Sequence, residues 1–193
     1  MRPTPEIVTE RLVLRLPAAG DVAGIVRYFT ENREHLAASR PRMPEAFYTA
    51  AFWSAQIPAA RAEYEQDVSL RLFAFDRHEP RRVVGNVNFT NIVRGPAQYC
   101  TLGYGLDRAC VGSGYMTEAL RGAIAFVHRD LNVHRVMANY VPHNRRSAAV
   151  LRRLGFTVEG YARDYLLLNG RWEDHILTSL LNPDWVESPT PVP

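Results

Sequence analysis

Val111-Gly112-Ser113-Gly114-Tyr115-Met116-Thr117-Glu118-Ala119-Leu120 decides the fold, because it joins a strand to a helix through two closely spaced glycines. Upstream, Gln98 to Leu106 alternates as a strand does. Downstream, Met116, Ala119, Leu120, Ala123, Ile124 and Val127 recur at helical spacing and mark one buried face. Glycines at such a junction let backbone N–H groups turn toward an anion, and the start of the helix adds its positive dipole end. The same Gly-x-Gly also serves in ordinary tight turns. No Gly-Lys-Ser/Thr follows and the third glycine of a dinucleotide fingerprint is missing, so neither a Walker loop nor a Rossmann unit is present.

Working outward, Arg135 to Val141 reads as a strand ended by Pro142, and Asn144 starts a short helix that Gly155 stops. Asn169-Gly170 is a two-residue hairpin signal joining Tyr165–Leu168 to Trp172–Leu180. Toward the amino end, Arg11–Leu16 reads as a first strand, and Asp21 is expected to cap a helix with Val22, Ile25, Val26 and Phe29 on one face. Residues 45–65 are helical in pattern, with Pro58 expected to end or kink the helix. Leu70–Phe75 and Val83–Ile92 are two further strands. The resulting order is one strand, helices, three strands, a helix, a strand, a helix and two strands, an α/β (α+β) arrangement on one mixed sheet rather than a doubly wound fold. One domain over residues 1–186 and a flexible Pro-rich tail over 187–193 are expected.

Composition narrows the function classes. The chain has 193 residues, 23 basic against 20 acidic, and 47% hydrophobic residues. No apolar run is long enough to span a bilayer, and residues 1–10 lack the apolar core of a signal peptide, so a cytoplasmic location without membrane contact is expected. Cys100 and Cys110 exclude a disulfide scaffold, and the six histidines show no paired ligand spacing, so no metal is expected. All 23 basic residues are arginine. Genomic base composition is one explanation of that, and a phosphate-bearing partner is another, because arginine is the better bidentate phosphate binder. A net charge of +3 gives no sign of DNA binding.

The segments Gly103-Tyr104, Gly112 to Leu120 and His134-Arg135-Val136-Met137-Ala138-Asn139-Tyr140-Val141-Pro142-His143-Asn144, continuing to Phe156, resemble the GCN5-related N-acetyltransferase (GNAT) family. Glu31-Asn32-Arg33, Asn88 to Gly95, Glu159-Gly160-Tyr161-Ala162, Asp164-Tyr165-Leu166-Leu167, Trp172-Glu173-Asp174-His175 and Pro183-Asp184-Trp185 are similar to its RimJ type. That type acetylates the N-terminal alanine of a small-subunit ribosomal protein. The resemblance spans Glu10 to Trp185. It implies a mostly antiparallel sheet of six to seven strands, helices on both faces, and central strands splayed around acetyl-CoA. Val111 departs from the polar residue usual at that point of the broad family's loop and removes one side-chain donor to the pyrophosphate. Met116 departs from a small residue, as the RimJ type also does.

The resemblance assigns the cofactor site to Gly105, Leu106, Gly112, Ser113, Gly114, Tyr115, Met116, Asn139, Asn144, Arg146 and Ser147. The pyrophosphate lies on the Gly112–Met116 amides and Asn144 holds the pantetheine arm; by its position alone Asn144 also reads as a helix cap. Arg145, Arg146, Arg152 and Arg153 read equally as partners of the CoA 3′-phosphate or as a solvated face. Asn88, Phe89 and Tyr104 read equally as lining the acceptor groove or as sheet-face packing. Ser147 is the expected proton donor to the leaving thiolate. The family often has a glutamate where this chain has Thr101, so the base is open among Asp164, Tyr165, Glu159 and His143; the catalytic set is Ser147, Asp164 and Tyr165. An α-amine with pKa near 7.8 is already about 14% neutral at pH 7, against about 0.04% for a lysine near 10.4. A weak base therefore suits an N-terminal acceptor. Both cysteines read as inert, and Trp172 and His175 as packing residues. The expected activity is acetyl transfer to a protein N-terminus, with a small-amine acetyltransferase or a non-catalytic acyl-CoA-binding or ribosome-assembly module as alternatives. Expected partners are a ribosomal protein and possible ribosome or rRNA contact through surface arginines, and the expected state is a monomer or weak dimer.

Overall fold

A computed structural model describes residues 2–37 and 39–187. The tail expected to be flexible lies outside them apart from Glu187. The elements are β1 (Glu6–Val8), β2 (Leu12–Arg15), α1 (Val22–Glu31), α2 (Arg33–Ala37), α3 (Ala50–Glu65), β3 (Leu70–Asp76), β4 (Val83–Val93), β5 (Tyr99–Leu106), α4 (Tyr115–Arg129), β6 (Arg135–Met137), α5 (Arg145–Arg153), β7 (Thr157–Leu168) and β8 (Arg171–Leu181). The strands form one sheet in the order β1-β2-β3-β4-β5-β6-β8-β7, antiparallel throughout except for β5–β6. The fold class is as expected, with eight strands rather than six or seven. The added strand is β1, three residues that pair with β2.

The period-2 alternation of the central strands gives each sheet face its own core. Leu70, Leu72, Val87, Phe89, Cys100 and Leu102 pack with the α4 residues Met116, Ala119, Leu120, Ala123, Ile124 and Val127. Phe73, Phe75 and Val83 pack on the other face with Ile25, Tyr28 and Phe29 of α1, Leu36 of α2, and Phe47. The second core is aromatic: the Phe29 ring stacks on Trp53 at 5.1 Å and meets Phe47 edge-on at 4.7 Å.

Three local expectations are corrected. Pro58 does not end the helix; it lies inside the continuous α3. The helix is pinned on both sides of the missing N–H, by Trp53 in the aromatic cluster and by buried Ala60 and Tyr64, so packing outweighs the lost hydrogen bond. The helical segment also begins later than residue 45, because Glu45–Tyr48 is a separate 3-10 turn and the Thr49 hydroxyl accepts the Phe52 N–H to cap α3. Asp21 does not cap α1 with its side chain. Its carboxylate turns back to the Ala18 N–H at 2.7 Å and to the Arg15 guanidinium at 2.6 and 2.8 Å.

The feature that positions the site is the short parallel pair. β5 and β6 are joined only over Tyr99–Thr101 and Arg135–Met137. Beyond Met137 the chain leaves β5 and follows β8, through the Ala138 N–H to the Thr178 carbonyl at 3.0 Å and the Tyr140–Ile176 bridge. The strand expected to run to Val141 therefore stops at Met137. The sheet opens as a V whose arms are Leu102–Leu106 and residues 138–141.

Candidate active site

The loop before α4 is built as its two glycines dictate. Gly112 and Gly114 have φ of +86° and +83°, a left-handed conformation that glycine adopts freely. The first intrahelical bond runs from the Glu118 N–H to the Gly114 carbonyl. The N–H groups of Tyr115, Met116 and Thr117 are thereby left without helical acceptors at the positive end of a 15-residue helix. Such a cradle suits an anion.

Three residues absent from the expected site lock that loop. The Arg11 Nη1 donates to the Ser113 carbonyl at 2.9 Å, its Nε to Glu118 Oε2 at 2.7 Å, and its guanidinium lies 4.1 Å over the Tyr115 ring. The Arg11 N–H and the Thr9 hydroxyl both donate to Glu118 Oε1, at 2.8 and 2.6 Å. Burial opposes ionisation of Glu118, yet these donors together hold its pKa below the ordinary carboxylate value. The link joins residues 107 apart and leaves no local signature in the chain.

Across the V stands α5. Asn144 Oδ1 accepts the Ser147 N–H at 3.1 Å, so Asn144 is the N-cap of this helix. Gly155, with φ +86°, closes it in a Schellman motif: the Phe156 N–H reaches the Leu151 carbonyl at 3.0 Å and the Gly155 N–H the Arg152 carbonyl at 3.1 Å. The Ser147 hydroxyl lies 2.6 Å from the Tyr104 hydroxyl on β5. Burial pushes the Tyr104 pKa up to about 12, with the Ser147 contact acting in the opposite direction. Arg145, Arg146, Arg152 and Arg153 are exposed and form no ion pair among the described residues. Gly105 and Leu106 lie on the open arm of β5.

On the other arm, the Asn139 Nδ2 donates to the Tyr165 hydroxyl at 3.1 Å and its Oδ1 accepts the Thr178 N–H at 3.3 Å. A register shift between Ala162 and Leu166 of β7 brings Tyr165 there, with its ring 5.3 Å from that of buried His175. Asp164, in the same irregular stretch, is exposed with φ +46°, and its N–H donates to Asp174 Oδ1 at 2.9 Å. Hydrogen bonds from the Ser179 hydroxyl and from Arg135 hold the Glu159 pKa below its ordinary value, which disfavours it as a base. His143 is exposed.

The expected acceptor residues separate. Asn88 pairs with Gly103 and Phe89 with Leu102, and their side chains lie on opposite faces of the sheet. Phe89 is fully buried in the α4-side core and lines no groove. Strand alternation already forbids Asn88 and Phe89 from sharing a face, so the signal for this correction is in the sequence. Tyr104 shares the Phe89 face and is engaged with Ser147. Trp172, expected to pack, is 61% exposed on β8, whereas His175 is buried.

Residues 11–157 match the acetyltransferase (GNAT) domain family. The chain belongs to the GNAT family. Among GNAT proteins it is 41% identical over 183 residues to the ribosomal protein uS5-alanine N-acetyltransferase of Escherichia coli (strain K12), covering 95% of this chain and 94% of that one. The crystal structure of ribosomal-protein-S5-alanine acetyltransferase from Vibrio fischeri superposes with a TM-score of 0.90 at 37% identity, covering 95% of this chain and all of that one. Mycobacterium smegmatis RimJ in complex with CoA-disulfide follows with a TM-score of 0.84 at 25% identity, covering 96% and 90%. The GNAT assignment accounts for the open V and the cradle before α4 as parts of one architecture.

Proposed function

We propose that this GNAT protein transfers the acetyl group of acetyl-CoA to the α-amino group of a protein N-terminus, with the alanine of a small-subunit ribosomal protein as acceptor, in the cytoplasm. The observation that carries the reading is the near full-length match to the uS5-alanine enzyme of Escherichia coli. The geometry supports it: unpaired amides for a pyrophosphate on the α4 side of the V, and an opening between strands for an extended thioester arm.

Acetyl-CoA supplies the activated acetyl group. The Gly112–Met116 backbone holds the diphosphate, Arg146 on the exposed first turn of α5 meets a phosphate, and Asn139 and Asn144 flank the arm. With Asn144 Oδ1 committed to the helix cap, its amide N–H groups are the part that faces the ligand. Ser147 gives its proton to the departing thiolate and is backed by Tyr104. Asn88 lies on the acceptor side, and Asp164 and Tyr165 stand near the amine. Neither cysteine forms an acyl-enzyme: both are buried, and burial pushes the Cys100 thiol up to about 12.

Free-thiol release with acetyl-CoA and an alanine-first peptide tests the reading. Turnover of that peptide is expected, with little on free amino acids or aminoglycosides. Turnover of small amines with none of any N-terminal peptide overturns it.

A further inference from the structure

The segment between α2 and α3 meets the tip of the β7–β8 hairpin, where Arg33, Arg40, Arg42, Tyr48 and Asn169 line an open cavity of about 330 Å³. Arg40 is unusual among these side chains. Its guanidinium carbon lies 4.8 Å from the Phe29 ring centroid and 5.2 Å from that of Phe47. The rings take the cation partly out of water, and this burial lowers its pKa from the ordinary guanidinium value. Contact with the ring faces recovers only part of that cost. Among the described residues neither Arg40 nor Arg42 has a carboxylate partner, whereas Arg33 in the same cavity is paired with Glu45 and lies 4.4 Å over the Tyr48 ring. The cavity thus holds two cations that form no ion pair among the described residues, Arg40 half-buried against the rings and Arg42 exposed.

Its place relative to the V gives it a role. The Leu36 Cδ2 of α2 lies 3.2 Å from where a Cβ on Gly105 would stand, so the end of α2 covers the open arm of β5 on the face away from α4. From the opposite arm, the Asn169 Nδ2 at the hairpin tip donates to the Ala37 carbonyl. The amide cradle lies on the α4 face. A chain entering the V from the face opposite α4 passes beside the cavity.

We propose that this cavity binds a carboxylate side chain of the acceptor polypeptide, downstream of its N-terminal amine, with Arg40 as the principal contact and Arg42 as a second. The proposal rests on the peptide-acceptor reading above. A carboxylate matches the planar guanidinium fork, and one compact anion fills a site built around one partly desolvated cation. A continuous nucleic-acid backbone fits less well, because Arg40 and Arg42 are the two cations of this cavity outside the Arg33–Glu45 pair, too few to follow successive phosphates.

Alanine-first octapeptides carrying one glutamate at each successive position, with glutamine twins, test this. kcat/KM is measured, and binding is measured by calorimetry in the presence of CoA. One or two register positions should favour glutamate by about tenfold, as expected for a charge-assisted bidentate contact. Arg40→Met keeps an apolar stem over Phe29 and Phe47; it should abolish the preference while leaving the glutamine peptides and the KM for acetyl-CoA within about twofold. Arg40→Lys should keep part of the preference, and Arg42→Gln should lose part of it. Equal use of glutamate and glutamine peptides at every position overturns the proposal. So does an equal loss for both peptide types in Arg40→Met, or a mixed-sequence RNA that displaces the acidic peptide and binds only when Arg40 is present. If no peptide is acetylated, the acceptor reading fails, and the calorimetric preference still decides whether the cavity takes a carboxylate.

Discussion

The Tyr104 hydroxyl lies 2.6 Å from the Ser147 Oγ, linking β5 to the first turn of α5 across the opened strands. With its pKa pushed up to about 12 by burial, Tyr104 keeps its proton at neutral pH and can donate to Ser147 while Ser147 donates onward. Ser147→Ala should lower kcat by about 10²-fold, the low end for a positioned acid, with a smaller change in the KM for acetyl-CoA. Tyr104→Phe should cost less, because Ser147 keeps its own hydrogen. The double variant should be no slower than Ser147→Ala, as two members of one relay are not additive. Steady-state kinetics of the three variants decides it, and an unchanged kcat in Ser147→Ala removes the serine from the acid role.

The Arg11–Glu118 link sets the shape of the cradle rather than the chemistry. Glu118→Gln or Arg11→Met should raise the Kd for CoA severalfold while kcat at saturating acetyl-CoA changes little. Each should also cost about 1–2 kcal/mol of stability, the value of hydrogen bonds to a charged group in a partly buried site. The pH dependence has a definite sign. The folded-state pKa of Glu118 is below its ordinary 4.5, so its contribution is fully present above that value and is lost as pH falls through the depressed folded value. The Tm gap between wild type and Glu118→Gln should therefore be constant near neutrality and close in acid. A gap that widens in acid contradicts the assignment.

The parts legible in the sequence are those written in local geometry. The glycine pair before α4 needs left-handed backbone, Asn144 precedes a helix it caps, and Asn169-Gly170 has φ of +51° and +82°, as a two-residue hairpin turn requires. What escaped is decided at long range. β1 is the exception, a three-residue strand paired with its sequence neighbour β2 and too short for its alternation to show. Pro58 survives in α3 because residues on both sides are packed, and no propensity records that. Arg11 and Glu118 meet only because β2 and α4 do. The separation of Asn88 from Phe89 was readable, since adjacent residues of a strand face opposite ways.

Cys100 and Cys110 should prove dispensable for catalysis. Burial raises both thiols, that of Cys100 to about 12, so neither is a thiolate near neutral pH. A Cys100→Ala, Cys110→Ala double variant should keep kcat/KM within about threefold, with a stability loss from Cys100, which is wholly buried in the α4-side core. Intact-mass spectrometry of enzyme quenched during turnover should show no added acetyl group. A cysteine-borne acetyl adduct would overturn direct transfer.

Gly112 and Gly170 form a matched pair that separates strain from ligand contact. Their φ values are +86° and +82°, and a Cβ on either would meet nothing within 4 Å. Alanine at either position should therefore cost the same left-handed penalty, about 1–2 kcal/mol, or roughly 2–4 °C in Tm for each kcal/mol. Gly112 lies in the loop that leads into α4, where the diphosphate is proposed to bind, whereas Gly170 lies in the turn between β7 and β8. Gly112→Ala should thus raise the Kd for CoA at least about tenfold, as loss of a charge-assisted amide contact does, whereas Gly170→Ala should leave it unchanged. Equal melting temperatures with unequal CoA affinities place the diphosphate on the Gly112 side of α4, and equal affinities would move it elsewhere.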